Sequence, residues 1–151
     1  MKIIQLLLTI LFCLALTVVA QDFRLSYDGK SGDVDLDAQI KDINISATAN
    51  TDGTLKELEV TVGIPPKECD RIVTTYKISY GEVYLLGVIR LKAKKTLEEI
   101  LVLRSQGLGW GVIAKRLGLH PSTLNKAMRE MRKAHKQKHI QRKGKSKGKG
   151  T

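Results

Sequence analysis

Short helices with built-in caps are the feature that most constrains this chain. Three times a hydroxyl residue precedes a glutamate by three positions and then an apolar run: Thr54 and Glu57, Ser79 and Glu82, Thr96 and Glu99. In such a capping box the hydroxyl accepts from the N3 amide and the carboxylate accepts from the cap amide, so two orphan donors are satisfied together. The first box leads into Leu55, Leu58 and Val62 with a stop at Gly63, the second into Val83, Leu86 and Ile89, and the third into Ile100, Val102 and Leu103. Between the first two, Pro65 and Pro66 open a segment with Cys69, Ile72 and Val73 inward. Proline suits a first turn, where its missing N–H removes no helical bond. Repeated caps at this spacing predict a mainly α fold, a compact bundle of short helices over 54–134.

Upstream, 21–53 is a polar lead-in with one ambiguous element. Gln21–Asp33 carries Gly29 and Gly32 and reads as a flexible approach. In Val34–Ala49, Leu36, Ile40, Ile43 and Ala47 fit one helical face, whereas Ile43, Ile45 and Ala47 fit a strand. The helix is slightly preferred. Asn50–Gly53 signals a turn.

Trp110–Arg129 reads as a helix, a turn and a second helix, a helix-turn-helix-like corner. Ile113, Ala114 and Leu117 face inward on the first helix, and Gly118 falls where the turn needs a positive φ. Leu119 plugs the corner, Pro121 starts the second helix, and Leu124 and Ala127 face back. His120, Ser122, Asn125, Lys126 and Arg129 are then expected on the outer face. Ser122, Asn125, Lys126 and Arg129 are a candidate DNA-reading set, since Asn can pair with adenine and Arg or Lys with guanine. Any two helices joined by a tight turn want the same Ala, Gly and Leu, so the corner also has a purely structural reading.

Charge divides the chain sharply. From Gln21 to Asn125, fourteen Lys and Arg face fourteen Asp and Glu, whereas 126–151 holds eleven cations against the single acid Glu130. The cations are Lys126, Arg129, Arg132, Lys133, Lys136, Lys138, Arg142, Lys143, Lys145, Lys147 and Lys149, a candidate polyanion-binding set. Lys143–Thr151 contains only Lys, Gly, Ser and Thr, which predicts a disordered basic tail over 135–151.

The other end points to export. Lys2 precedes an apolar run from Ile3 to Val19, and Val18 and Ala20 supply a small-residue cleavage site before Gln21. Residues 1–20 therefore read as a signal peptide, with the mature protein periplasmic or extracellular. Cleavage leaves one cysteine, Cys69, which excludes an intrachain disulfide and reads as a buried thiol.

Three weaker signals have ordinary explanations. Asp33, Asp35 and Asp37 open like a calcium loop, but Ala38 stands where such a loop needs Gly and Asn44 where it places Glu. His135 and His139 could share a metal across one helical turn, yet no carboxylate or cysteine accompanies them. Trp110 between two glycines reads as core. No nucleophile–base pair, phosphate loop or zinc set occurs, so the sequence predicts a protein that is not an enzyme, with no cofactor, metal or small-molecule substrate.

Ser31–Lys126 resembles a group of small exported bacterial proteins of unassigned function. The matching segments are SGDVDLD at 31–37, INISATA at 43–49, LEVTVGIP at 58–65, YGEVYLLGVI at 80–89 and GLGWGVIAKRLGLHP at 107–121. The last carries the pattern GWGxIAKxLGLxP and is the most specific. The resemblance implies a predominantly helical exported module with no catalytic residues. Members usually continue with P-G-S and an F-H dipeptide, whereas this chain reads Pro121-Ser122-Thr123-Leu124. The cationic tail is a second departure.

Two functions compete: an exported module whose tail touches anionic surfaces or polymers, and a helix-turn-helix protein that binds nucleic acid inside the cell. The mature N-terminus separates them. Intact-mass measurement of native protein is expected to show Gln21, open or cyclised, as the first residue. A cytoplasmic protein beginning at Met1 would count against export.

Overall fold

A computed structural model of the chain describes residue 28 and residues 31–147, with side chains as far as residue 137. The expected signal peptide, and residues 21–27, 29 and 30 of the lead-in, lie outside the described residues. Seven helices follow one another within them: α1 Val34–Ala49, α2 Thr51–Val62, α3 Pro66–Tyr76, α4 Tyr80–Ala93, α5 Leu97–Ser105, α6 Trp110–Arg116 and α7 Pro121–Lys147. No strand occurs among the described residues.

Helix α4 is the centre. Every residue from Tyr80 to Ile89 is buried, as expected of a helix apolar on all sides. Helices α1, α2, α3, α5 and α7 pack around it. Two of its glycines set how close the neighbours come. A Cβ at Gly81 would lie 2.3 Å from the Ile40 carbonyl oxygen of α1, and one at Gly87 would lie 2.6 Å from Val62 Cβ of α2. The Asn44 side chain of α1 uses this approach: its Oδ1 accepts from the Gly81 amide at 2.8 Å and satisfies an orphan donor in the first turn of α4.

The ambiguous segment 34–49 is a helix. Leu36, Ile40, Ile43 and Ala47 are all buried, while Ile45, which a strand would have turned inward with Ile43 and Ala47, is 67% exposed. The lead-in expected over 21–53 thus contains a core element, and α1 packs on α2, α4 and α7. Asp33 caps it, accepting from the Leu36 amide at 2.9 Å.

Two of the three expected capping boxes form. Ser79 with Glu82 opens α4, and Thr96 with Glu99 opens α5. The Thr96 backbone amide and, after it, the Lys95 side chain hold the Glu99 carboxyl below the usual carboxylate range. The box at Thr54 and Glu57 does not form. Helix α2 begins earlier, at Thr51, because Asn50 caps it by accepting from the Gly53 amide at 2.9 Å. Asn is among the strongest caps, and its position in a turn signal concealed that role. Thr54 instead donates to the Asn50 carbonyl, and Glu57 turns to Arg132.

Gly63 stops α2 in the left-handed region at φ 67°, and Pro66 opens α3. Cys69 is fully buried, its Sγ 3.4 Å from the Ile64 carbonyl. Burial first, and the nearby Asp70 and Glu68 carboxylates next, push its thiol up to about 12. It therefore stays protonated and unreactive at neutral pH.

Close approach and backbone conformation can be separated by mutation. Gly81→Ala must displace the Ile40 backbone and is expected to cost about 1–3 kcal/mol as overpacking. Gly118 has φ 71° and open space around it, so Gly118→Ala should cost only about 1 kcal/mol from backbone strain. Urea unfolding should rank the alanine at 81 as the more damaging; the reverse order would mean that the α1–α4 approach is looser than described.

Candidate anion-contact surface

The surface begins at the α6–α7 corner, which one buried acid holds in place. Glu82 on α4 is 5% exposed. Its Oε2 accepts from the Ser79 amide at 2.7 Å and the Ser79 hydroxyl at 3.0 Å. Its Oε1 accepts from the Trp110 indole N–H at 2.9 Å and from Arg104 at 3.2 Å. Arg104 also donates to the Leu108 carbonyl at 3.1 Å, and its guanidinium lies 5.2 Å from the centre of the Trp110 ring, within cation–π range. The cap of α4, the end of α5 and the start of α6 therefore meet on one carboxylate. Backbone also closes on α6: a Cβ at Gly111 would fall 2.2 Å from the Ser31 carbonyl oxygen. The SGDVDLD and GWG segments, far apart in sequence, touch there.

The turn after α6 is a Schellman motif. The Gly118 amide donates to the Lys115 carbonyl at 3.0 Å, and the Leu119 amide donates to the Ala114 carbonyl at 2.8 Å. Ala114, Leu124 and Ala127 are buried, and Leu117 and Leu119 pack partly against the core, as the corner pattern predicts. His120 caps α7: its ring Nδ1 lies 3.3 Å from the Ser122 amide and 2.7 Å from the Ser122 hydroxyl. Pro121 takes the first helical position.

The candidate DNA-reading set does not share one open face. Ser122, Lys126 and Arg129 are exposed. Asn125 is not: it is 9% exposed and covered by α1. Gln39 donates through Nε2 to both the Asn125 backbone carbonyl, at 3.0 Å, and the Asn125 side-chain oxygen. The Asn125 Nδ2 lies 3.5 Å from Asp35 Oδ2. The two-helix pattern placed Asn125 outward because it contained no third helix to cover it.

The aspartate triplet is divided among three tasks. Asp33 caps α1, Asp37 accepts from the Ser31 amide at 2.9 Å, and Asp35 faces α7. Asp35 and Asp42 form one wall of an open groove whose other wall is Arg129, Arg132, Lys133 and Lys136. Arg132 is half-buried and paired with Glu57 at 3.3 Å. Lys126, Arg129, Lys133 and Lys136 are exposed, and Lys126 lies 4.0 Å from Glu130.

The helix that opens at the corner carries on into the basic tail. Helix α7 spans Pro121–Lys147. Once α7 is nucleated on the body, each added residue costs little, and Lys, Arg and Gln are good helix formers. Lys138, Arg142, Lys143, Lys145 and Lys147 thus lie on a helix. Their side chains, that of His139, and Lys149 lie outside the described residues. His135 is half-buried beside Val60, Thr61 and Met131.

The Glu82 cluster and the Gln39–Asn125 bond escaped sequence reasoning. A trace of the first was present: a lone glutamate inside the apolar run YGEVYLLGVI, and a tryptophan elsewhere that needs an acceptor when buried. Nothing local marks the second. Comparison with family models, curated proteins and solved structures finds no match to this chain.

Glu82→Ala would leave the Arg104 guanidinium and the Trp110 indole without their shared acceptor. It is expected to destabilise by about 3 kcal/mol and to shift Trp110 emission to the red as water reaches the ring. Unfolding within about 0.5 kcal/mol of the parent, the range of an ordinary surface change, would show that the corner does not depend on this carboxylate.

Proposed function

We propose that the chain is an exported, non-enzymatic helical module of the periplasm or extracellular space that holds anionic surfaces or polymers through the cations of α7. One observation carries this reading. Along the inner stripe of α7, Leu124, Ala127 and Met128 are buried and Met131 is partly so. After half-buried His135, the sequence continues the same stripe with Lys138 and Arg142. A helix that went on packing would keep apolar residues there. One that leaves the body to meet water and negative charge has no need of them. At a rise of about 1.5 Å per residue, the part beyond His135 reaches some ~18 Å outward. Binding by such a rod works through charge neutralisation and counterion release. The resemblance to small exported proteins points the same way.

The second reading is a nucleic-acid-binding helix-turn-helix. It is favoured by the close α6–α7 corner with Ser122, Lys126 and Arg129 exposed on α7. Burial of Asn125 beneath α1 weighs against it, because a base-reading face would have to displace a core helix.

Truncation after Gln137 tests the proposal. It keeps half-buried His135 and removes six cations: Lys138, Arg142, Lys143, Lys145, Lys147 and Lys149. Melting should be unchanged, while affinity for duplex DNA of arbitrary sequence and for a sulfated polysaccharide should both fall. If all six engage phosphates, the slope of log K against log salt becomes shallower by roughly 5 for DNA. Sequence-selective binding that survives truncation and disappears in Arg129→Ala would instead establish the second reading.

A further inference from the structure

We infer that Asp35 and Asp42 of α1 are a built-in competitor for the inner cations of α7, so that a linear polyanion gains Arg129, Lys133 and Lys136 only against their field. This rests on the reading of α7 as the anion-contact surface. The two carboxylates and the cations line opposite walls of one open groove. Among the described residues, none of Arg129, Lys133 and Lys136 comes within the 4.0 Å of an ion pair with either aspartate. The fourth cation, Arg132, is occupied by Glu57. The opposed charges therefore act across the groove, where water and salt weaken them and a denser line of negative charge can outcompete them.

The carboxylates cannot move away with their helix. Helix α1 is fixed by buried Leu36, Ile40, Ile43 and Ala47, and Gln39, one turn after Asp35, is tied to Asn125. The arrangement grades the surface. A polyanion meets uncontested charge beyond Lys136 and contested charge nearer the corner. A single small anion gains little in the groove, because its attraction to three cations is offset by two fixed carboxylates. A polymer held by the outer part of α7 presents its next charges to the groove at high local concentration.

The test is a double variant, Asp35→Asn with Asp42→Asn, in the full mature chain. A control double variant, Glu59→Gln with Glu98→Gln, changes net charge equally at exposed carboxylates that line no part of the groove. The probe is a duplex DNA oligonucleotide of arbitrary sequence, titrated at several salt concentrations. The groove variant should bind roughly three- to tenfold more tightly than parent and control at low salt. Its salt slope should steepen by about 0.9 for each further cation engaged. Asp42→Asn alone covers the case in which loss of Asp35 disturbs the Asn125 contact; it should give part of the gain with unchanged melting. Equal gains in the groove and control pairs would reduce the effect to net charge and overturn the inference while leaving α7 as the contact surface. No binding by the parent or any variant at low salt would sink the reading of α7, and this inference with it.

Discussion

Glu82 puts a carboxylate inside a helix that is otherwise apolar, and its burial is tolerable only because donors converge on it. The Ser79 amide and hydroxyl take one oxygen; the Trp110 indole and the Arg104 guanidinium take the other. A buried carboxylate with any of these missing would face a large desolvation penalty. That requirement fixes α5 and α6 against α4 in one arrangement, and α6 in turn fixes where α7 starts. A capping residue has thus become the junction of three helices, and the direction of the cationic helix follows from it.

Close packing completes the body. Gly81 and Gly87 let α1 and α2 reach the backbone of α4, and Gly111 lets the Ser31 segment lie on α6. Helix α1 gains most from this. With its apolar face in the core it turns Asp35, Gln39 and Asp42 toward α7, where Gln39 and Asp35 meet Asn125 and the two aspartates face the inner cations. A segment expected to be a lead-in therefore lies along the surface on which the proposed function depends. The corner retains a helix-turn-helix form, but the residue best suited to read a base is spent on holding α1.

Local signals were legible where the physics is local. The Ser79–Glu82 and Thr96–Glu99 boxes, the stops at Gly63 and Gly118 and the inward Cys69, Ile72 and Val73 each depend on neighbours within a turn or two, and each is found in the fold. Local patterns were ambiguous or incomplete where two local rules competed or where a distant partner decided. Asn50 overruled Thr54 because both can cap and Asn50 comes first. The strand pattern in 43–47 yielded to the helical one because Leu36 and Ile40 extend only the latter.

What the sequence alone determined is the succession of short helices after the Asn50–Gly53 turn signal, the caps at Ser79 and Thr96, the form of the α6–α7 corner and the separation of a neutral body from a cationic end. These follow from periodicity, cap chemistry and charge count, which need no knowledge of what lies across the core. Tertiary structure decided which polar side chains were buried and with whom: Glu82 with Trp110 and Arg104, Asn125 with Gln39, Asn44 with the amide of Gly81. Such pairings join residues far apart in the chain. They form only when helices approach closely enough to exclude water, at which point a buried donor or acceptor left without a partner is costly.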